Sequence, residues 1–456
     1  MRTENPEVPV RLDQIRRALE GAVPAVFSTC SADGEPNVAF LSQVQYVDDA
    51  HVALSYQFFN KTRRNILANP GGHLMVMDPA TAQIYRMRLR YLRTEDEGAL
   101  FERMKAHLEG IASHFGMSGT FRLLGSDLYA VSELEQLPGN VLSAPPVDRN
   151  PLAAMRRASD RIAQCGELGR IVDVALDALV EELDVEHAMF LMHDAPARRL
   201  YAVGSRGYAS SGIGAEVALG EGVIGVCAQA RTAIRLGWAT QAYRYGRAIR
   251  DRVLHDRDGQ PLVNEIPYPG LTDPHSQLGV PLIHGGRLYG VLFVESEIDL
   301  KFTYDHEDAL VALGHQIGAA IAAGHEAGAE IAEEGAPQKP LPGPEGGAPL
   351  QVRCYMATHS VFFGDQYVIK GVAGAILWRL LEQYSGNGRT EFSNREIRLD
   401  PAIRLPDVVD NLEARLILLR RRLDEQCAGV TLEKCGRGRL RLEVQRKLIM
   451  QRVDDQ

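Results

Sequence analysis

A chain of 456 residues with 45% hydrophobic and 24% charged content has the composition of ordinary folded domains and the length of about three of them. No apolar run approaches the roughly 18 residues of a membrane-crossing helix, and the opening MRTENPEVPVRLDQIRR has no apolar signal core, so a cytoplasmic protein without membrane contact is expected. The net charge of −9 is uneven: residues 351–456 hold 18 Lys+Arg and 14 Asp+Glu (+4), leaving 32 against 45 (−13) for the first 350.

The six cysteines form no CxxC pair or short Cys/His cluster, so reduced structural thiols are expected and no metal ligand set is read. Two interruptions rich in Pro and Gly divide the chain, SELEQLPGNVLSAPPVDRNP and EEGAPQKPLPGPEGGAP. They predict an α+β multidomain protein with domains at 1–140, 150–325 and 351–456 and an extended linker at 327–350.

The first segment begins with a helix, then alternates strands at Ala25 to Cys30, Pro36 to Val47 and His51 to Tyr56 with the turns ADGEP and VDDA. In FFNKTRRNILANP a strand hands over to a helix, and cations beside a hydroxyl at a helix start suit a phosphate. The plainer reading is a solvated helix start. The run GEPNVAFLSQVQYVDDAHVALSYQFFNKTRRNILANPGGHLMVMD resembles the split β-barrel of the pyridoxamine phosphate oxidase family. That resemblance implies FMN at a dimer interface, with Lys61 and Thr62 on its phosphate, Ser55 and Asn65 nearby, and Arg88 (or Arg86 or Arg90) on a following strand. Related split barrels bind haem or a deazaflavin, which remain the alternatives. No residue set points to a catalytic site.

In the middle segment, apolar spacing of three and four predicts helices from Pro151 to Cys165 and from Leu168 to Leu183. Strands HAMFLMHD and LYAVGSRGY follow, then a Gly-rich helix start, GEGVIGVCAQARTAI, and a hairpin turning at Gly285 and Gly286. With LGVPLIHGGRLYGVLFVES and FTYDHEDALVALGHQIGAAIA, this pattern resembles a GAF domain, an α/β sandwich that implies a small-ligand pocket and pairing through its helices as a homodimer. Between Arg235 and Pro274, arginines alternate with aromatic residues, a combination that suits an anionic or aromatic ligand. Tyr243, Arg244, Arg247, His255 and His275 are the candidate ligand residues; the plainer reading is an exposed helix with Arg/Asp pairs.

The last segment opens with strands in VRCYMATHSVFFGDQYVIKG and continues through helices to a long one at Pro406 to Gln426, with Val408, Leu412, Leu416, Leu419 and Leu423 on one side. A hairpin, VTLEKCGRGRLRLEV, ends it. This order resembles the winged helix-turn-helix domain of response regulators, which implies DNA contacts from Arg415, Arg420, Arg421 and Arg422 on the long helix and from Arg437 and Arg439 on the wing. Ile417 and Leu418 stand where that family carries basic residues, and such a pair is better explained by burial against a partner. The expected function is a cofactor- or metabolite-responsive regulator in which split barrel and GAF pocket control a winged-helix output to DNA or protein. The alternative is an FMN-dependent oxidoreductase acting on a small aromatic or nitrogenous substrate.

Overall fold

The computed structural model describes residues 10–19, 23–41, 43–56, 61–114, 122–143, 150–237, 266–330, 348–403, 405, 412–426, 429–436 and 438–453. A 3-10 helix, Leu12–Leu19, precedes seven strands: β1 (Ala25–Cys30), β2 (Pro36–Leu41), β3 (Val44–Asp48), β4 (His51–Tyr56), β5 (Gly71–Met77), β6 (Ile84–Glu95) and β7 (Gly125–Gln136). They form one antiparallel sheet ordered β2-β1-β5-β6-β7-β4-β3. Helix α1 (Lys61–Ala68) follows β4, and α2 (Ala99–His114) lies between β6 and β7. Alternation decides which face is buried: in β5, Gly72, Leu74 and Val76 are buried and their neighbours exposed. Phe27, Leu54, Ile66, Leu74, Met87, Leu89 and Tyr129 fill the interior.

The single strand expected from Pro36 to Val47 is two, β2 and β3, which lie at opposite ends of the sheet. A run of strand-forming residues records propensity but carries no mark of where pairing changes partner.

The middle body has six strands: β8 (His187–Asp194), β9 (Arg199–Arg206), β10 (Glu216–Ala218), β11 (Ile234–Leu236), β12 (Ser276–His284) and β13 (Arg287–Ser296), ordered β10-β9-β8-β13-β12-β11. One face packs on α3 (Pro151–Ala163), α4 (Leu168–Leu183) and a long helix, α6 (Tyr304–Glu330). The other packs on α5 (Gly222–Ala230) through Val223, Val226, Cys227 and Phe293. The β12–β13 turn has positive φ at Gly285 (57°) and Gly286 (74°), which L side chains adopt rarely. Gly225 and Gly290 are needed for close approach: a Cβ there would strike the carbonyl oxygens of Ala218 and Leu191.

The third body holds β14 (Leu350–Tyr355), β15 (Ser360–Phe363), β16 (Gln366–Ile369), α7 (Gly371–Asn387), β17 (Glu391–Ser393), α8 (Asn394–Leu399), α9 (Leu412–Gln426), β18 (Val430–Gly436), β19 (Arg439–Val444) and β20 (Leu448–Val453). Ser393 starts α8 with a capping box to Glu396. Strand β17 joins the β18–β19 hairpin, while β20 returns to pair in parallel with β14. That last strand was not foreseen, because LIMQRV is short and lies past the hairpin taken as the end of the domain. Among the described residues, no helix is long and apolar enough to cross a membrane.

Candidate functional site

Helix α1 begins with Lys61 and Thr62, and each is held by a residue of the β1–β2 arm. Lys61 Nζ lies 2.6 Å from Glu35 Oε1, and this contact holds the Glu35 carboxyl below its usual range. Thr62 Oγ1 accepts from Asn37 Nδ2 at 2.8 Å, which leaves the hydroxyl proton free to be donated. One turn on, Asn65 is 3% exposed and donates to Thr29 Oγ1 at 3.2 Å. Arg63 turns inward: it pairs with Asp127 at 2.6 Å and lies over the Tyr56 ring at 4.6 Å. Burial raises the Asp127 carboxyl even though Thr94 and Arg63 donate to it. Arg64 is exposed. An ammonium, a guanidinium and a hydroxyl at one helix start form a donor set that fits a phosphate monoester.

The other expected residues stand on strands, Ser55 on β4 and Arg88 on β6. Ser55 shares its face of β4 with Ala53, which packs on Met104 and Leu108 of α2. Nearby, the Gln43 amide and the Ser126 hydroxyl are buried without a hydrogen-bond partner. Arg88 pairs with Glu133 at 2.9 Å on the outer face of β6, beside His73 of β5. That face is apolar at its edge, with Phe40 77% and Val38 62% exposed.

In the middle body, the sheet face toward α5 buries a carboxylate. Glu295 accepts from Leu271 N at 2.8 Å and from Gln277 Nε2 at 3.0 Å, and burial raises its pKa. His187 lies opposite it in register, with its ring 5.2 Å from that of Tyr208. No motif announced this cluster, since its members come together only through strand pairing. His275 instead turns to acids, 3.2 Å from Asp299 and 3.8 Å from Asp273. It stands immediately before β12. Tyr243, Arg244, Arg247 and His255 lie outside the described residues.

The bodies touch at two seams. At the first, Gly222 N donates to Ser113 Oγ of α2 at 2.7 Å, so the start of α5 is capped by a side chain from the N-terminal domain. Arg16 pairs with Asp308 at 2.9 Å and lies over Tyr304 at 4.4 Å, as Arg235 does at 4.2 Å. The second seam is made by α9. Arg415 pairs with Asp194 at 2.6 Å and lies over Tyr201 at 4.6 Å. Arg421 pairs with Asp173 at 2.9 Å and donates to the Val203 carbonyl at 2.6 Å. Arg422 donates to the Val368 carbonyl at 3.1 Å within its own domain.

Arg415, Arg421 and Arg422 therefore do not stand free in this conformation for the DNA contacts that the resemblance implies. Ile417 (7% exposed) and Leu418 (4%) are buried, and the partner that covers them is the middle domain. Arg420 lies at the edge of the same contact beside Gly169, Arg439 is half-buried in β19, and Arg437 lies outside the described residues.

Residues 12–126 match the family model for pyridoxamine 5'-phosphate oxidase, and residues 166–322 match that for the GAF domain. The chain carries both domains. No curated protein matches it. Similar solved structures include the GAF domain of Acinetobacter phosphoenolpyruvate-protein phosphotransferase, at 23% identity over 38% of this chain and 94% of that one, with a TM-score of 0.31. An FMN-binding protein from Syntrophomonas wolfei subsp. wolfei shares 19% identity over 28% of this chain and 92% of that one, TM-score 0.23. The free methionine-R-sulfoxide reductase of Neisseria meningitidis, in complex with its substrate, shares 18% over 41% of this chain and 96% of that one, TM-score 0.31.

Proposed function

We propose that this chain is a sensory regulator in which a flavin-type cofactor on the split barrel, FMN in the first instance, and a small molecule in the GAF domain control a C-terminal winged-helix output. The observation that supports it most is the α1 start, where Lys61 and Thr62 open the helix and Arg64 is exposed one turn on. Lys61 and Thr62 would hold the phosphate, with Glu35 displaced from Lys61 as the phosphate enters. Asn37 and Asn65 orient the helix start by tying it to β2 and β1. A bound flavin would supply two-electron redox chemistry, and the protein supplies position and electrostatics.

Arg88 lies on the same outer face as exposed Phe40 and Val38, three strands away, so it reaches a cofactor only if a second copy covers that face. A homodimer is part of this reading. The signal leaves the barrel through α2, whose Ser113 caps the GAF helix α5. It reaches the C-terminal domain through α9, packed on the far face of the same GAF sheet.

The test is flavin titration of purified protein, followed by its visible spectrum. Wild type should bind FMN, and Lys61→Ala should weaken binding by roughly tenfold or more, as the loss of a charge-assisted contact implies. Equal affinity in wild type and Lys61→Ala would remove this site, and a Soret band would replace flavin with haem.

The engagement of Arg415 and Arg421 by the GAF domain favours a second reading, an FMN-dependent oxidoreductase in which the C-terminal domain serves assembly. Steady NADH oxidation by the flavin-loaded protein would select it.

A further inference from the structure

Four cations of the C-terminal domain each face a carboxylate of the GAF domain. Arg415 meets Asp194 at 2.6 Å and Arg421 meets Asp173 at 2.9 Å. Lys434, on the β18–β19 hairpin, meets Glu167 at 2.9 Å, and Lys370 meets Glu216 at 3.2 Å. These cations belong to the segment whose balance is +4, and their partners to residues 150–325, which hold 16 Lys+Arg and 22 Asp+Glu (−6). A guanidinium fork receives a carboxylate and a phosphate with the same geometry. The long helix and the hairpin, the two elements that carry the cations best placed for a duplex, are thus both turned onto acids of the same chain.

We propose that the GAF domain acts as an internal polyanion, occupying with Glu167, Asp173 and Asp194 the seats that phosphates of a nucleic-acid duplex would take, so that docking on GAF and binding a duplex exclude each other. The proposal rests on the winged-helix reading of the C-terminal domain. Ile417 and Leu418 explain why the docked form prevails: they gain apolar cover from GAF that a duplex backbone cannot offer. The seam is nonetheless not sealed, because a polar cavity of about 40 Å³ lies in it, lined by Arg199, Gly214, Glu216, Ile266, Tyr367 and Lys370. Leu412, Leu416, Leu419 and Leu423 repeat along the other side of α9 from Ile417 and Leu418, and one apolar cluster runs from the GAF domain through α9 into the C-terminal domain, so opening the seam uncovers Ile417 and Leu418.

The test compares the wild-type full chain with Glu167→Gln/Asp173→Asn, which changes two half-exposed carboxylates and leaves α9 unaltered, and with the triple variant that adds Asp194→Asn. Hydrogen exchange across residues 412–426 reports docking, and anisotropy of a labelled random-sequence DNA duplex at about 0.1 M salt reports binding. Faster exchange in the variants is expected, with duplex affinity at least about tenfold above wild type and falling steeply with salt. Adding Arg421→Ala should cancel the gain. Unchanged exchange in both variants overturns the clamp. Duplex binding by wild type equal to that of the variants overturns exclusion but leaves the DNA reading intact. Faster exchange with no duplex binding by the wild type or by either variant refutes the DNA reading itself.

Discussion

His107 sits on α2 where the split barrel meets the GAF domain, and its surroundings hold it neutral. Burial, with the nearby Arg235 cation, lowers its pKa, although the ring also reaches the Arg235 backbone. In the unfolded chain it takes a proton near pH 6.5, while the folded form resists protonation to lower pH. Stability at this seam is therefore complete above about pH 6.5 and is lost as pH falls below it toward the folded value. The thermal midpoint should drop between about pH 7.5 and 5.5, and His107→Gln should flatten that drop; an unchanged slope would show that His107 is not the group responsible. Lys61 and Thr62 were legible as single residues because a helix start with cations is a local feature. Asn37, Glu35 and Asp127, which hold that helix start, were not, since each reaches it from a distant part of the chain.

At the scale of elements, α9 shows where sequence reading succeeds and where it stops. Its own core side was legible from Leu412, Leu416, Leu419 and Leu423, because a helix repeats every 3.6 residues. The opposite side was legible only as a misfit: Ile417 and Leu418 demanded cover, and nothing in their spacing named the GAF sheet as its source. Arg415 at the centre of that contact is buried with Asp194. Asp194→Asn leaves the guanidinium buried without its counter-charge, so a loss of about 3–5 kcal/mol is expected in urea unfolding. The pair Arg415→Met with Asp194→Leu should recover most of it, and a loss equal to that of the single variant would mean the ion pair itself is needed. β20 was missed for a related reason: pairing in parallel with β14, across nearly the whole C-terminal domain, leaves no trace in six residues.

Over the whole molecule, the outer face of the barrel is where a second copy fits the proposed function. Phe40 and Val38 are exposed on β2, and Arg86 and Arg88 lie three strands away on β6, paired with Glu135 and Glu133. Phe40→Asp should convert a dimer into monomers in light scattering and weaken FMN binding in step, because Arg88 would lose its route to the cofactor. A monomeric wild type that binds FMN fully would remove the dimer from the account.

The serine that caps α5 has a consequence for how this protein can be divided. Ser113 belongs to one domain and the peptide N–H it receives belongs to the other, so the end of the first module supplies the first turn of the second. A cut after Gln136 in the Pro/Gly stretch between them, which composition marks as the natural place, spares β7 but parts Ala106 of α2 from the core it shares with α5. It also leaves a GAF fragment in which Gly222 N, at the start of α5, has lost the acceptor that Ser113 supplies. What looks like a pair of interchangeable parts in a linear diagram is, at this one hydrogen bond, a single piece.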